Sequence, residues 1–411
     1  MQSSSSVSAC RSCGENSLDP ILNLGRTPLA DRLLRPEQLE EAEPLFPLEV
    51  VFCPRCTLVQ IRETVAPEVL FAADYPYFSS FSKYLLEHSR ANVEEIIGSR
   101  GLGPDNFVVE LASNDGYLLR NYVSAGIPVL GIDPVAGVAR AAEESGVPTL
   151  VAFFTRELAH ALGEEGKKAD VVHANNVLAH VADTNGFVEG IRTLLKDEGV
   201  GVIEVPYLRD LVDHCEFDTI YHEHLCYFSV TALDRLFRRH GLYLNEVRRL
   251  PIHGGSLRLY VERHELVGDS VRALLDEERA LGMGDAAYYR DFSGRVAELK
   301  RNLLAMLQDL KSKGKRIAAY GAAAKGATLI NYVGIGTDLV EFVVDRNVYK
   351  QGLFMPGQRI PIFEPERLRE AKPDYVLLLP WNLEGEILNQ ERAFREAGGS
   401  FIIPVPVPRI V

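Results

Sequence analysis

Long apolar runs are missing from this chain of 411 residues, and nothing in it approaches the roughly 20 consecutive apolar residues that span a bilayer. An excess of positive charge is missing too. Lys and Arg number 44 against 57 Asp and Glu, a formal net charge of −13. That balance argues against a general nucleic-acid or membrane-surface binder, whose phosphate partners would be repelled, and leaves room only for a local basic pocket. Residues 1–9 are Ser-rich and have neither the charged nor the apolar region of a signal peptide, so a cytosolic location is expected. Tandem repeats are absent, and low complexity is confined to the N-terminal serines. Cysteine is scarce, with six residues.

Four of those six fall in two pairs, Cys10-Arg11-Ser12-Cys13 and Cys53-Pro54-Arg55-Cys56. In a reducing compartment two Cys-x-x-Cys knuckles read as a tetrahedral zinc site rather than as disulfides. Four thiolates fill the coordination shell, so this zinc is expected to be structural, and nothing near either knuckle supports a redox pair. Cys215 and Cys226 are isolated and read as buried free thiols. Hydrophobic content of 46% and charged content of 25% describe an ordinary globular protein, and the length suggests two or three domains.

From Asn106 onward strand and helix patterns alternate. FVVELA, PVLGID, ADVVHANN and GVGVIEVPY read as strands, separated by helical segments that end at Gly126 and Gly146. This pattern predicts a parallel sheet covered on both faces. A second α/β series starts near Lys315, with RIAAY, LVEFVVD and YVLLLPWN as strands, and Glu277 to Leu310 reads as one continuous helix bridging the two series.

Ligands of open α/β sheets lie beyond the carboxyl ends of the strands. In the first series those ends carry Glu110, Asp133, Asn175, Asn176 and Glu204. The turn after the first strand is ELASNDG, not Gly-x-Gly-x-x-Gly, so it suits a ligand without a pyrophosphate. Asp133 lies where a carboxylate accepts hydrogen bonds from ribose hydroxyls. A nucleoside without phosphate between acidic strand ends describes S-adenosylmethionine (SAM). The stretch TIYHEHLCYFS, Thr219 to Ser229, raises a separate question: His222-Glu223-His224 reads equally as a metal site, a base cluster or a polar strand end, and spacing alone does not choose.

The two knuckles, DYPYFSSFS, ELASNDGYLL, GIDP, NNVLAHVAD, YHEHLCYFS, HGGSLR and YGAAAKGATLIN, in this order, resemble the zinc-containing SAM-dependent C-methyltransferases of dTDP-deoxysugar biosynthesis, the sugar C3-methyltransferase family. The resemblance runs from Cys10 nearly to the C-terminus. It implies an α/β protein with a small N-terminal zinc-binding domain (1–67, ligands Cys10, Cys13, Cys53 and Cys56), a SAM-binding Rossmann-like domain (68–265), and a helical linker with a C-terminal Rossmann-like domain (266–411). It places Glu110, Ala112 and Asn114 near the methionine end of SAM, Asp133 on the ribose, Phe153 or Phe154 on the adenine, and Asn175 and Asn176 beside them. It makes His224 the proton-transfer residue, with Tyr75, Tyr221 and His180 as donors to the sugar C4 oxygen. Glu223 would orient a histidine or bind a sugar substituent. His222, Tyr77, Ser79, Ser80, Lys83, His253, Gly254, Arg258, Lys325 and Asn382 would line the nucleotide-sugar cleft.

The implied reaction adds a methyl group to C3 of a dTDP-4-keto-6-deoxy sugar, with or without a 3-amino group, through an enolate. The enzyme is expected to act as a monomer, without nucleic-acid or membrane partners. YGAAAKG is not a dinucleotide fingerprint, so NAD is not expected in the C-terminal domain. The competing readings are methylation at C5, a nucleotide-sugar oxidoreductase using the C-terminal domain, and a non-enzymatic zinc scaffold that senses SAM.

Overall fold

The computed structural model describes residues 4–70 and 78–411. Tyr75 and Tyr77 lie outside the described residues. Among those described, no helix is long and apolar enough to cross a membrane.

The central sheet has seven strands in the order Tyr243–Leu250, Ser256–Glu262, Leu195–Pro206, Ala169–Asn175, Val108–Leu111, Val129–Asp133 and Thr149–Val151. The last five run parallel, and Ser256–Glu262 inserts antiparallel beside Leu195–Pro206. Every residue of Val108–Leu111 is buried, as expected of a strand covered on both faces. The chain direction therefore brings Glu110, Asp133, Asn175 and Glu204 to one edge of the sheet. The C-terminal sheet has six strands, ordered Ile362–Phe363, Val343–Val344, Ile317–Tyr320, Tyr375–Leu378, Ser400–Ile403 and Arg409–Ile410, all parallel except the last.

The N-terminal sheet is antiparallel and holds Asp19–Thr27, Phe46–Phe52 and Val59–Ile61. Its fourth strand, Cys226–Tyr227, comes from far along the chain: Cys226 pairs with Gln60 and Tyr227 with Val59. The ladder is extended by Ile61 N–H donating to the Leu225 carbonyl at 3.0 Å. The N-terminal region also reaches the C-terminal sheet's loops. Leu34 bridges to Phe354, and Glu43 accepts from the Gly357 amide at 2.8 Å.

The linker corrects the expectation of one continuous helix from Glu277 to Leu310. Helix Asp269–Leu281 stops at Gly282, whose φ of +75° suits a left-handed cap. A 3-10 turn, Ala286–Tyr289, follows, and a second helix runs from Phe292 to Ser312. The interruption lets Tyr289 pack its ring 5.1 Å from that of Phe52 in the N-terminal sheet. Glu278, buried in the first helix, accepts from Tyr207 Oη, the Val230 and Thr231 amides and Thr231 Oγ1 at 2.6–2.9 Å. It thus caps helix Val230–Arg239 with a carboxylate, which the helix dipole favours.

Removing that carboxylate in Glu278→Ala leaves several buried donors unpaired. Urea denaturation should show stability lowered by about 3 kcal/mol, the scale of uncompensated buried polar groups; a change under about 1 kcal/mol would show that water replaces the carboxylate.

Candidate active site

Each Cys-x-x-Cys knuckle closes in a tight turn. Gly14 N–H donates to the Cys10 carbonyl at 2.9 Å and Thr57 N–H to the Cys53 carbonyl at 2.8 Å, with Gly14 and Thr57 both at positive φ. The four Sγ atoms of Cys10, Cys13, Cys53 and Cys56 lie within 4.8 Å of one another, and the Cys10–Cys56 and Cys13–Cys53 pairs are 3.5 Å apart. A tetrahedron with zinc–sulfur bonds of about 2.3 Å has edges of about 3.8 Å, so the donor set fits zinc and not two disulfides. Arg11 fastens the first knuckle to the sheet through the Ile61 and Glu63 carbonyls and Thr64 Oγ1, and Asn185 of the central domain donates to the Arg11 carbonyl at 2.8 Å.

At the carboxyl edge of the central sheet, Ala112 and Asn114 adopt left-handed backbone conformations, φ +55° and +49°. The turn aims the Asn114 amide at Asp133 Oδ2, 2.9 Å away, while the Val135 amide donates to Oδ1 at 2.9 Å. Each Asp133 oxygen thus accepts one backbone amide. Ser79 and Ser80 meet this edge through their backbones, donating to Asn114 Oδ1 and Asp115 Oδ2. Glu110 Oε2, Ser113 Oγ, Asp115 Oδ1 and Asn175 Oδ1 are buried without a hydrogen-bond partner among the described residues. Burial first, then the charges of Asp133, Asp115 and Glu204, push the Glu110 carboxyl well above its usual range. A dry, anionic pocket with unfilled acceptors fits a ligand that brings cations, and SAM carries a sulfonium and an ammonium. Of the two adenine candidates, Phe154 packs edge-on against Phe187 at 5.4 Å, whereas Phe153 remains 42% exposed. Asn176, φ +54°, spends its amide on the Glu204 carbonyl.

The structure answers the question posed by His222-Glu223-His224. The three residues lie on a turn ahead of strand Cys226–Tyr227, and the histidines diverge. His222 is buried against the N-terminal sheet, where Nε2–H donates to the Pro47 carbonyl at 3.0 Å and the ring meets Phe46 edge-on at 5.7 Å. Glu223 is buried as well. His224 faces the other way, with its ring 4.7 Å from that of His180. Its Nδ1 is 2.7 Å from the Thr219 carbonyl. A carbonyl only accepts, so Nδ1 carries the proton and Nε2 keeps its lone pair. Tyr221 Oη donates to that lone pair at 3.1 Å. Burial, and secondarily the Lys325 charge, lowers the His224 pKa to about 4.

Lys325 opens helix Ala324–Val333 of the C-terminal unit, so the site lies between the two larger sheets. Its Nζ donates to Asn382 Oδ1 at 2.8 Å and sits 4.4 Å from the Trp381 ring centre. Burial lowers its pKa, opposed by Asp218 and Glu216. His253 completes this wall at φ +60°, its pKa lowered to about 4 by burial and then by Lys325. The backbone of Gly254 lies against Glu216, leaving no room for a side chain: a Cβ would come 2.6 Å from Oε2.

Two of the cationic candidates already have acidic partners. The Lys83 side chain is 88% exposed and pairs with Glu87 one turn on. Arg258 is buried and donates to Glu204 Oε1 at 2.7 Å, with His88 Nε2 3.0 Å from the same carboxylate, so its charge is already matched. The sequence reading did not single out Asp218, Glu216, Trp381 or His88. Asp218 and Glu216 lie in CEFDT, directly ahead of the histidine motif, and that proximity was the one available signal. Gly321, in the loop after strand Ile317–Tyr320, and Gly326, in helix Ala324–Val333, admit Pro380 and Leu379, which would stand 2.5 Å and 2.8 Å from a Cβ at those positions. These glycines allow the segment Leu379–Pro380 to pack closely against this part of the chain.

Two outcomes follow. Cys53→Ser should lose the bound zinc, seen as less than one zinc per chain by elemental analysis, and should lower the melting midpoint by more than about 5 °C, because metal binding supplies folding free energy here; an unshifted midpoint would make the knuckles dispensable. Burial disfavours the imidazolium of His224, so the folded ring stays neutral until pH falls through about 4. Its Cε1–H NMR resonance should therefore not move between pH 8 and about 5, and a midpoint at the unperturbed value of about 6.5 would contradict the buried placement.

Three family profiles match the chain: a zinc binding domain over residues 10–71, a methyltransferase domain over 83–247 and a C-methyltransferase C-terminal domain over 251–406. The C-methyltransferase NovU of Streptomyces niveus is 37% identical over 409 residues, 98% of this chain and 97% of NovU. Among solved structures, the SAM-bound magnesium protoporphyrin IX methyltransferase of Synechocystis PCC 6803 is matched over 44% of this chain and 82% of its own, with 14% identity and a TM-score of 0.34. A SAM-dependent methyltransferase of Anabaena variabilis ATCC 29413 is matched over 43% and 84%, with 14% identity and a TM-score of 0.33. With the match to NovU covering 98% of this chain and the three profiles spanning residues 10–406, the chain belongs to the zinc-containing, SAM-dependent C-methyltransferases.

Proposed function

We propose that the protein methylates C3 of a dTDP-4-keto-6-deoxy sugar, with residues 1–67, 68–265 and 266–411 forming its zinc, donor and sugar-nucleotide domains. The observation that carries this reading is the His224–Tyr221 pair. A neutral imidazole with Nε2 as acceptor stands beside a phenol O–H in a largely buried cleft. Enolisation of a ketone needs one group of each kind, a base at the α-carbon and a donor at the carbonyl oxygen.

SAM, when bound by Glu110, Asn114, Asp133, Asn175 and Phe153, supplies an electrophilic methyl group. The protein's own residues prepare the nucleophile. His224 Nε2 takes the proton from the carbon next to the ketone, and the electron pair moves onto the carbonyl oxygen. The Thr219 carbonyl stabilises the imidazolium that forms, through Nδ1–H. Tyr221 Oη, displaced from Nε2 by the substrate, becomes a donor for the enolate oxygen, and Lys325 adds positive charge from the opposite wall. Burial of these groups keeps water from quenching the enolate. Lys325 at a helix N-terminus also suits the anionic diphosphate of a nucleotide sugar. His253 and Asn382 share that wall.

Wild-type enzyme given a dTDP-4-keto-6-deoxy sugar in deuterated water should exchange the C3 proton and, with SAM, place a methyl on C3 by product NMR. In His224→Asn, exchange should slow by about 10²–10⁴-fold, the contribution of a positioned general base, while SAM binding persists. Unchanged exchange in that variant would reject the assignment, and a methyl group on C5 or on oxygen would reject the substrate position.

A further inference from the structure

The carbonyl that fixes the tautomer of His224 belongs to a short 3-10 turn, Phe217–Thr219, and both residues ahead of it are gripped by the C-terminal unit. Phe217 packs its ring 5.2 Å from Tyr332 of helix Ala324–Val333. Asp218, fully buried, accepts a hydrogen bond from the indole Nε1–H of Trp381 through Oδ2 at 2.8 Å. Trp381 in turn carries Lys325 over its ring. One residue later in the turn, the Thr219 carbonyl accepts Nδ1–H of His224.

We propose that Asp218 is a positioning residue: its bond to Trp381 fixes the turn that presents the Thr219 carbonyl, and so holds His224 with Nε2 unprotonated toward the cleft. The C-terminal unit then does more than bind substrate, because its seating sets which nitrogen of His224 is free. The task needs an oxygen acceptor aimed at the indole N–H, which Asp218 Oδ2 supplies. This inference rests on the proposed role of His224 as base.

Full-length, zinc-loaded protein labelled with ¹⁵N-histidine tests it. In Trp381→Phe, which keeps a ring beneath Lys325 and removes only the N–H, long-range ¹H–¹⁵N spectra should show His224 losing its fixed Nδ1–H form. The same variant should lose at least about tenfold in kcat, the lower end of what a misplaced group costs, with KM for SAM unchanged. Asp218→Asn retains an oxygen acceptor for the indole and should keep the tautomer, with kcat within about threefold of wild type. The proposal is overturned if Trp381→Phe retains the Nδ1–H form, whatever its kcat, or if Asp218→Asn falls as far as Trp381→Phe. Loss of the tautomer with kcat unchanged would uphold the positioning link and remove His224 from the role of base, so the two readings fail separately.

Discussion

The pairing of strand Cys226–Tyr227 with Val59 and Gln60 is the constraint on which the site depends. It makes the N-terminal sheet a part of the active site's foundation rather than an appendage. The knuckle at Cys53 and Cys56 leads into strand Val59–Ile61, and that strand holds the segment immediately after His224. His222 reaches back to the Pro47 carbonyl of the same sheet. A strand of two residues has too few ladder bonds, at about 1 kcal/mol each, to be stable by itself. It persists because its neighbour is fixed by four sulfur ligands suited to a metal and by a buried core.

A second constraint is dryness. Where the central and C-terminal units meet, burial is the largest influence on every shifted group. It lowers His224 and His253 to about 4, raises Asp218 to about 6 and Glu216 to about 8, and lowers Lys325. Charges of both signs are pressed toward their neutral forms. For His224 the consequence is a ring that stays unprotonated near neutral pH. The donor pocket uses the same physics with one sign. The Asp133 and Asp115 charges add to burial in raising the Glu110 carboxyl, and the cationic groups of a bound SAM would offset that repulsion.

Much of this was legible in the residues. Two Cys-x-x-Cys knuckles can close around one metal wherever the chain between them wanders, so their chemistry does not depend on the fold. The strand–helix alternation from Phe107 onward, with carboxylates and amides at the strand ends, is a local pattern that a parallel sheet converts directly into one functional edge. Less was legible where a residue's role depends on what it meets. Arg258 and Lys83 looked alike as cations for a diphosphate, yet one is buried against Glu204 and the other is in solvent. The expected single linker helix breaks at Gly282, a stop that the surrounding helical residues obscured.

The sequence by itself determined the zinc knuckles, the α/β alternation and the acidic edge of the central sheet, because each follows from residue type at short spacing. Only the tertiary structure decided which histidine of His222-Glu223-His224 faces the cleft, which of its nitrogens is free, and that Asp218 and Trp381 meet across 163 residues. Those outcomes hang on single hydrogen bonds between segments remote in the chain, and no local pattern of side chains encodes where a distant carbonyl or indole will stand.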